Sequence, residues 1–480
     1  MIGSQTLKSP FDAAVAQAPG RPTPWALRFT LAAMLVYVGR IGDIFPALAP
    51  LQLGKILIAL AVLALLLEGG GWRAGLMREP IFRPYLATLA LIVVTAPFGV
   101  WVMNTVDFIL QNFFKEVVFV FLLAFSIRRQ VDIRLVIWAF AFNALVLDVA
   151  LFKYGPLGLE EIALGRNEIA MTSVMAVALL LPMKTHGIAK LLKWGLIAVM
   201  AFAVLKSASR GGYLGLASVG TVYAYFTMGK KIALASVFVM GIGGLIYIQL
   251  PSDFRGTADS IINFDEDYNV HARDGRIEIW KRGLKMVVSD PLTGVGFHNF
   301  PIAEGMLHRN VQGQAWMNAH NSPLQVAAEI GLLGLLAWWL IVKRIYRTAR
   351  QLRENQTADV ATGAFASFRE RLPSQPERQA LAAPPIMRLA PAGARLSRPA
   401  VASPQASATS AARGPMPGAL THRLSDIGSS LSLALVAYLV CGFFLHFGFN
   451  LVFYTIMVLT IAAKRIAELP PAEGSHVLSR

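Results

Sequence analysis

Apolar stretches close to the ~20 residues that an α-helix needs to cross a bilayer recur from about Trp25 to Lys464. That recurrence leaves few folds open. Inside hydrocarbon every backbone N–H and C=O must be bonded within the protein, so repeated spans of this kind form a bundle of helices. The expected fold class is therefore an all-α polytopic membrane protein, and a composition of 55% hydrophobic and 15% charged residues excludes a soluble globular domain. About a dozen spans are expected, near 25–39, 52–67, 84–103, 112–127, 133–151, 168–183, 189–206, 211–228, 232–250, 321–342, 429–446 and 449–463.

Lys and Arg at span ends are retained on the cytoplasmic side, so their distribution gives an orientation. Arg73 and Arg78, then Arg128, Arg129 and Arg134, then Lys184, Lys190 and Lys193, then Lys230 and Lys231, and finally Lys464 and Arg465 fall in alternate loops. Those loops are expected to be cytoplasmic, together with both termini. The net charge of +16 follows largely from this rule and from one basic loop, so it does not point to nucleic acid, for which no module is visible. No removable signal peptide is read at the N-terminus, and the first span serves as the targeting signal. The single cysteine, Cys441, excludes an intramolecular disulfide and reads as a small packing residue within a span.

Two long breaks divide the apolar pattern. The plan is a tail at 1–24, a bundle of about nine spans at 25–250, an outer loop at 251–320 and a span at 321–345. A disordered cytoplasmic loop at 346–428, two spans at 429–464 and a tail at 465–480 follow. The second break is rich in Ala, Pro, Ser and Arg and lacks the apolar surface to offset the entropy of ordering. The outer loop is different, because Ile277, Trp280, Leu284 and Val287 or Val288 recur at helical spacing and predict an amphipathic helix within 274–288. Asp290, Pro291, Gly294 and Gly296 then end it in a turn. Asp265, Glu266, Asp267 and Asp274 match no calcium-loop spacing and read as a solvated acidic turn.

Candidate chemistry gathers at outer helix starts. In Ser209-Arg210-Gly211-Gly212, Ser209 can cap a helix, Gly211 lets backbone approach a ligand, and Arg210 offers a fork of donors suited to phosphate. His320 precedes a similar start, where Asn321 or Ser322 can cap and Pro323 suits the first turn. Two helix N-termini beside an Arg and a His would make a pyrophosphate site. Arg166 and Asn167 begin another span on the same side and either join that pocket or merely cap their helix. Glu329 shares a helical face with Gln325 and is expected to buttress the site from behind. Each feature has a plainer alternative, since an Arg at a span end often contacts only lipid phosphates and an isolated His at a helix start is often structural. Lys115, Glu116 and Asp148 are expected to pair internally.

Taken in order, these features resemble the O-antigen ligase and O-antigen polymerase superfamily. Its members carry a Ser-Arg-Gly opening a middle span, a long periplasmic loop, and a His-Asn-x-x-Leu-Gln-x-x-x-Glu-x-Gly-x-x-Gly run. Ser209-Arg210-Gly211, a loop with Arg276, Trp280, Pro291, Gly294, Gly296 and Phe297, and the run from His320 to Gly334 match that pattern. The likeness covers about 165–345, and the long insertion after the tenth span departs from it.

The resemblance implies a GT-C-like bundle with a partly helical periplasmic loop, in the bacterial inner membrane, with its active site facing the periplasm. It implies a metal-independent, cofactor-free inverting glycosyltransferase using an undecaprenyl-pyrophosphate-linked glycan. Arg210 and Arg276 would neutralise the departing pyrophosphate, and His320 would accept or orient the acceptor's hydroxyl proton. Ser209, Gly211, Arg166, Asn167, Asn321 and Trp280 would bind substrate, with Gln325, Glu329, Gly294 and Gly296 as support. The acceptor distinguishes a ligase (lipid A core) from a polymerase (another glycan) and a protein O-oligosaccharyltransferase. Membrane lipids are the other expected partners. A lipid-linked glycan transporter is the alternative of another class, and it would place polar groups near the midplane of two related halves.

Overall fold

The computed structural model describes residues 23–68, 75–162, 164–231, 275–308, 316–370, 417–445 and 448–468. The ninth expected span (232–250), the acidic turn of the outer loop, Arg73, and the middle of the insertion lie outside the described residues. So do most of both terminal tails.

The described elements are helices, with no strand among them. In chain order the principal ones are α1 (Trp25–Tyr37), α2 (Leu53–Leu67), α3 (Phe82–Thr95), α4 (Val102–Ser126) and α5 (Gln130–Gly158). Then follow α6 (Arg166–Leu180), α7 (Ile188–Lys206), α8 (Arg210–Met228), α9 (Arg276–Ser289) and α10 (Phe300–His308). The last are α11 (Ser322–Glu370), α12 (Pro417–Gly442) and α13 (Leu451–Ala467). Five described segments are long and apolar enough to cross a membrane: α4, α5, α7, Ser322–Glu354 of α11 and Leu424–Gly442 of α12. α1, α2 and α3 are apolar but shorter.

The chain divides into two units, 1–353 with 424–480, and 354–423. In the second unit the described residues, 354–370 and 417–423, are helical. The expected loop at 346–428 thus meets helix at both ends, because Ile345, Ala349 and Leu352 are buried in the first unit's core and carry α11 onward. Ile427 and Leu431 do the same for α12.

Within the first unit, α6 packs against α5, α7 and α8, while α13 packs against α4. Every residue of α6 from Ile169 to Leu180 is buried, as is every residue of α13 from Leu451 to Ala463. A helix apolar on all sides belongs in the centre of a bundle. α2 and α7 instead expose Leu63, Leu66, Leu191 and Phe202, an outward apolar surface suited to lipid tails.

Ion pairs gather the basic loops at one end of the bundle. Arg128 reaches Glu68 (2.8 Å), Lys464 reaches Glu79 (2.8 Å) and Lys184 reaches Asp426 (3.3 Å). Asp132 is fully buried there and accepts from the backbone N–H of Arg128 and Arg129 and from the Arg129 guanidinium. Asp132→Ala would strand those donors, and breaking a buried pair costs about 3–5 kcal/mol. A marked fall in the detergent-phase melting temperature is the expected result, measured by scanning fluorimetry.

At the opposite end the chain interrupts one helix and repairs it with a loop. Ile330 and Gly331 leave helical geometry inside α11, with Gly331 at φ 73° and ψ −179°. The segment 291–297 docks on the break. Val295 N–H donates to Ala328 O (2.8 Å), Gly296 N–H to Glu329 O (3.1 Å), and Leu332 N–H to Pro291 O (2.8 Å). Backbone groups freed by the break are thereby satisfied, as a membrane interior requires. Gly294 and Gly296 adopt positive φ, and a Cβ on Gly294 would lie 2.5 Å from Ala328 O. The turn that the sequence marks only as a bend is the partner of a broken helix.

Candidate active site

Ser209 caps α8 as expected, its Oγ accepting from Gly212 N–H (3.2 Å), and Arg210 is the first helical residue. At the start of α11, Asn321 Oδ1 accepts from Leu324 N–H (2.9 Å) and Pro323 sits in the first turn. The backbone before it is bent by His320 at φ 44°, a left-handed conformation that a histidine adopts only when its surroundings hold it.

One turn, 441–445, joins these two helix starts. Cys441 Sγ donates to Gly211 O (3.4 Å), and a Cβ on Gly211 would meet Phe444 Cβ at 3.2 Å. Asn321 Nδ2 donates to Phe443 O (3.2 Å) and Ser322 Oγ to Leu445 O (2.8 Å). α9 joins the same group through Trp280, which stacks edge-on against Phe443 and donates to Ala319 O (3.0 Å). Trp280 therefore fixes the strand of chain that carries His320. Gly283 lets α9 close on α11, since a Cβ there would lie 2.9 Å from Leu324 Cδ2. Arg276 opens α9, with Gly275 at its N-cap. Arg282 pairs with the buried Glu304 (2.7 Å), tying α9 to α10.

Arg166 and Asn167 open α6 beside α8, where Ala170 meets Gly212 and Arg166 acts electrostatically on Tyr213. The neighbouring Glu168 pairs with Arg40 (2.9 Å), which also holds Asp43. Glu168 is within electrostatic reach of Glu116. Asp148 accepts from Ser173 Oγ (2.6 Å), an internal pairing of the kind expected of it.

A cavity of about 260 Å3 opens between α4, α11 and the 297–301 and 449–450 segments. Its aromatic lining is Phe108, Phe113, Phe297 and Phe449. Polar groups from five places in the chain face it: Glu116, His298, Asn318, the pair Gln325 and Glu329, and Asn450. Gln325 Nε2 donates to Glu329 Oε1 (3.4 Å). Gln325 and Glu329, expected only as support, are cavity walls. Glu116, His298, Asn318 and Asn450 escaped the sequence reading of the site. The only hint was a carboxylate inside an apolar span at Glu116, because their convergence depends on contacts between distant segments.

Asn299, fully buried, holds the cavity's loop by donating to Thr105 Oγ1 (3.2 Å) and Trp101 O (3.2 Å), while Asn104 donates to its Oδ1 (2.8 Å). His298 stacks on Phe108 with ring centroids 3.6 Å apart. Burial pushes its pKa below the usual 6.5, so the folded state favours the neutral ring. Its contribution to stability is therefore present above about pH 6.5 and is lost as pH falls through the depressed value. Melting temperatures compared from about pH 7.5 to 5.5 should fall more steeply in the wild type than in His298→Gln. Among the described residues no group of three or more His, Cys, Asp or Glu is arranged to hold a metal ion.

Five described helices long and apolar enough to cross a membrane point to a multi-pass membrane protein. The two capped helix starts share the 441–445 turn, and Ser209, Arg210, His320 and Asn321 are not among the residues that line the polar cavity. Residues 195–339 match the family model described as O-antigen ligase, a match that supports membership of the O-antigen ligase superfamily. The matched segment contains Arg210, Arg276 and His320 and the whole α11 break. A comparison with curated proteins finds no match.

Proposed function

We propose that this protein is an O-antigen ligase-like inverting glycosyltransferase. It moves a glycan from undecaprenyl pyrophosphate to an acceptor hydroxyl, with lipid A core as the acceptor, at the periplasmic face of the bacterial inner membrane. The observation that carries this reading is the joining of the Ser209–Arg210 and His320–Asn321 helix starts by one turn, inside the segment that matches the family. Helix N-terminal N–H groups favour anions. Arg210 and Arg276 add the charge that stabilises a leaving pyrophosphate.

In this mechanism the acceptor oxygen attacks the anomeric carbon from the face opposite the pyrophosphate. The bond from that carbon to the pyrophosphate oxygen breaks, and its electron pair leaves with undecaprenyl pyrophosphate. His320 takes the proton of the attacking hydroxyl, a transfer suited to an imidazole near neutral pH. The lipid pyrophosphate is itself the activated donor, so no nucleotide is needed.

The test is transfer by the purified full-length chain in liposomes, with an undecaprenyl-pyrophosphate oligosaccharide as donor and lipid A core as acceptor. Core-linked product is the expected result. Longer lipid-linked chains instead would assign a polymerase, glycosylation of added Ser/Thr/Tyr peptides a protein transferase, and no product from folded protein would overturn the reading.

A further inference from the structure

The cavity beside α11 holds chemistry that the leaving-group side of the reaction does not use. Glu116 and Glu329 face the same space from α4 and α11. Glu329 is only 1% exposed; backbone groups of His298 and Phe300 lie close to its carboxylate, but none completes a hydrogen bond to Oε2. A buried carboxylate oxygen that no donor reaches carries the cost of its lost water, and Glu329 lies in the wall of this cavity.

The lining says what kind of donor fits. The lining holds no Lys or Arg to neutralise a phosphate, so the pyrophosphate belongs with Arg210 and Arg276 rather than here. A neutral, hydroxyl-rich ring satisfies every wall. Its O–H groups donate to Glu116 and Glu329, its oxygens accept from the Asn318 amide, and its C–H face lies on Phe113 and Phe297. Drug-sized ligands use pockets of about 300–1,000 Å3, and the 260 Å3 here suits one ring rather than a chain. The position suits it too, because Asn318 lies two residues before His320 in the chain and Glu329 follows on the same helix.

We propose that this cavity is the subsite for one sugar residue of the acceptor, held by Glu116, Glu329 and Asn318. The proposal rests on the transferase reading above and adds to it that acceptor and leaving pyrophosphate occupy chemically separate parts of the site. It makes Glu329 a ligand-binding group rather than a buttress.

The test separates sugar binding from turnover. Full-length protein in nanodiscs is probed by saturation-transfer-difference NMR with methyl glycosides of glucose, galactose, mannose and N-acetylglucosamine. Donor affinity and acceptor KM are measured in parallel for wild type, Glu329→Gln and Asn318→Ala. The second variant alters a half-buried residue and so remains informative if the first fails to fold. At least one glycoside should bind the wild type. That binding should weaken, and acceptor KM rise, by at least about tenfold in the variants through loss of charged and neutral hydrogen bonds. Donor affinity should stay within about twofold. Glycoside binding sensitive to both changes, in a protein that transfers nothing, would keep the sugar subsite and remove the transferase reading. No glycoside binding to the wild type, or a donor affinity that falls in step with glycoside binding, would overturn the proposal.

Discussion

Gly331→Ala is expected to lower the melting temperature sharply and to abolish glycan transfer together. The residue sits at φ 73° and ψ −179°, a region open essentially to glycine alone, where a forced side chain costs about 1–3 kcal/mol. A Cβ there would also run into the Leu292 carbonyl, so the docked loop must move away. That movement breaks the bonds from Val295, Gly296 and Leu332 across the α11 interruption and leaves backbone groups open inside the bundle. Gly187→Ala is the control. Gly187 also has positive φ (55°), but a Cβ there meets nothing within 4 Å, so only the smaller conformational cost should appear. Scanning fluorimetry and transfer assays on both variants separate the lock from a generic glycine effect.

Arg210→Lys and Arg276→Lys should each reduce transfer by about a hundredfold while leaving the fold intact. Lysine keeps the charge but loses the planar fork that grips two phosphate oxygens at once. Removing one preorganised donor from a developing anion costs about 10²–10³ in rate. Because that interaction grows as the pyrophosphate leaves, the loss should fall mainly on kcat rather than on donor affinity. Full activity in both variants would take these residues out of the reaction.

The helices were legible because their signals are local. The span expected at 189–206 is Ile188–Lys206, the stretch 211–228 is helical as Arg210–Met228 though not among the five segments long and apolar enough to cross a membrane, and the amphipathic stripe of 274–288 is Arg276–Ser289. Ser209 and Asn321 cap as their side chains suggested. Other features could not be read from spacing. The span expected at 112–127 begins at Val102, because a π-turn at Ile109–Phe113 lets two helical pieces continue as one. The break at Ile330–Gly331 is invisible in an apolar run, since its stability depends on a loop some forty residues earlier in the chain. The polar cavity drew Glu116, Asn318 and Asn450 from three separate segments, and only tertiary packing brings such residues together. Gln325 and Glu329 were placed on the correct helical face, but what that face looks onto required the fold.

In the proposed reaction His320 takes the acceptor's proton during glycan transfer from a lipid pyrophosphate. The most direct test compares wild type with His320→Ala in liposomes containing undecaprenyl-pyrophosphate oligosaccharide and lipid A core, following core-linked product by mass spectrometry. Loss of a general base costs about 10²–10⁴ in rate, so product is expected from the wild type and at least about a hundredfold less from a folded His320→Ala protein that still binds donor. Equal rates in the two proteins would contradict that role.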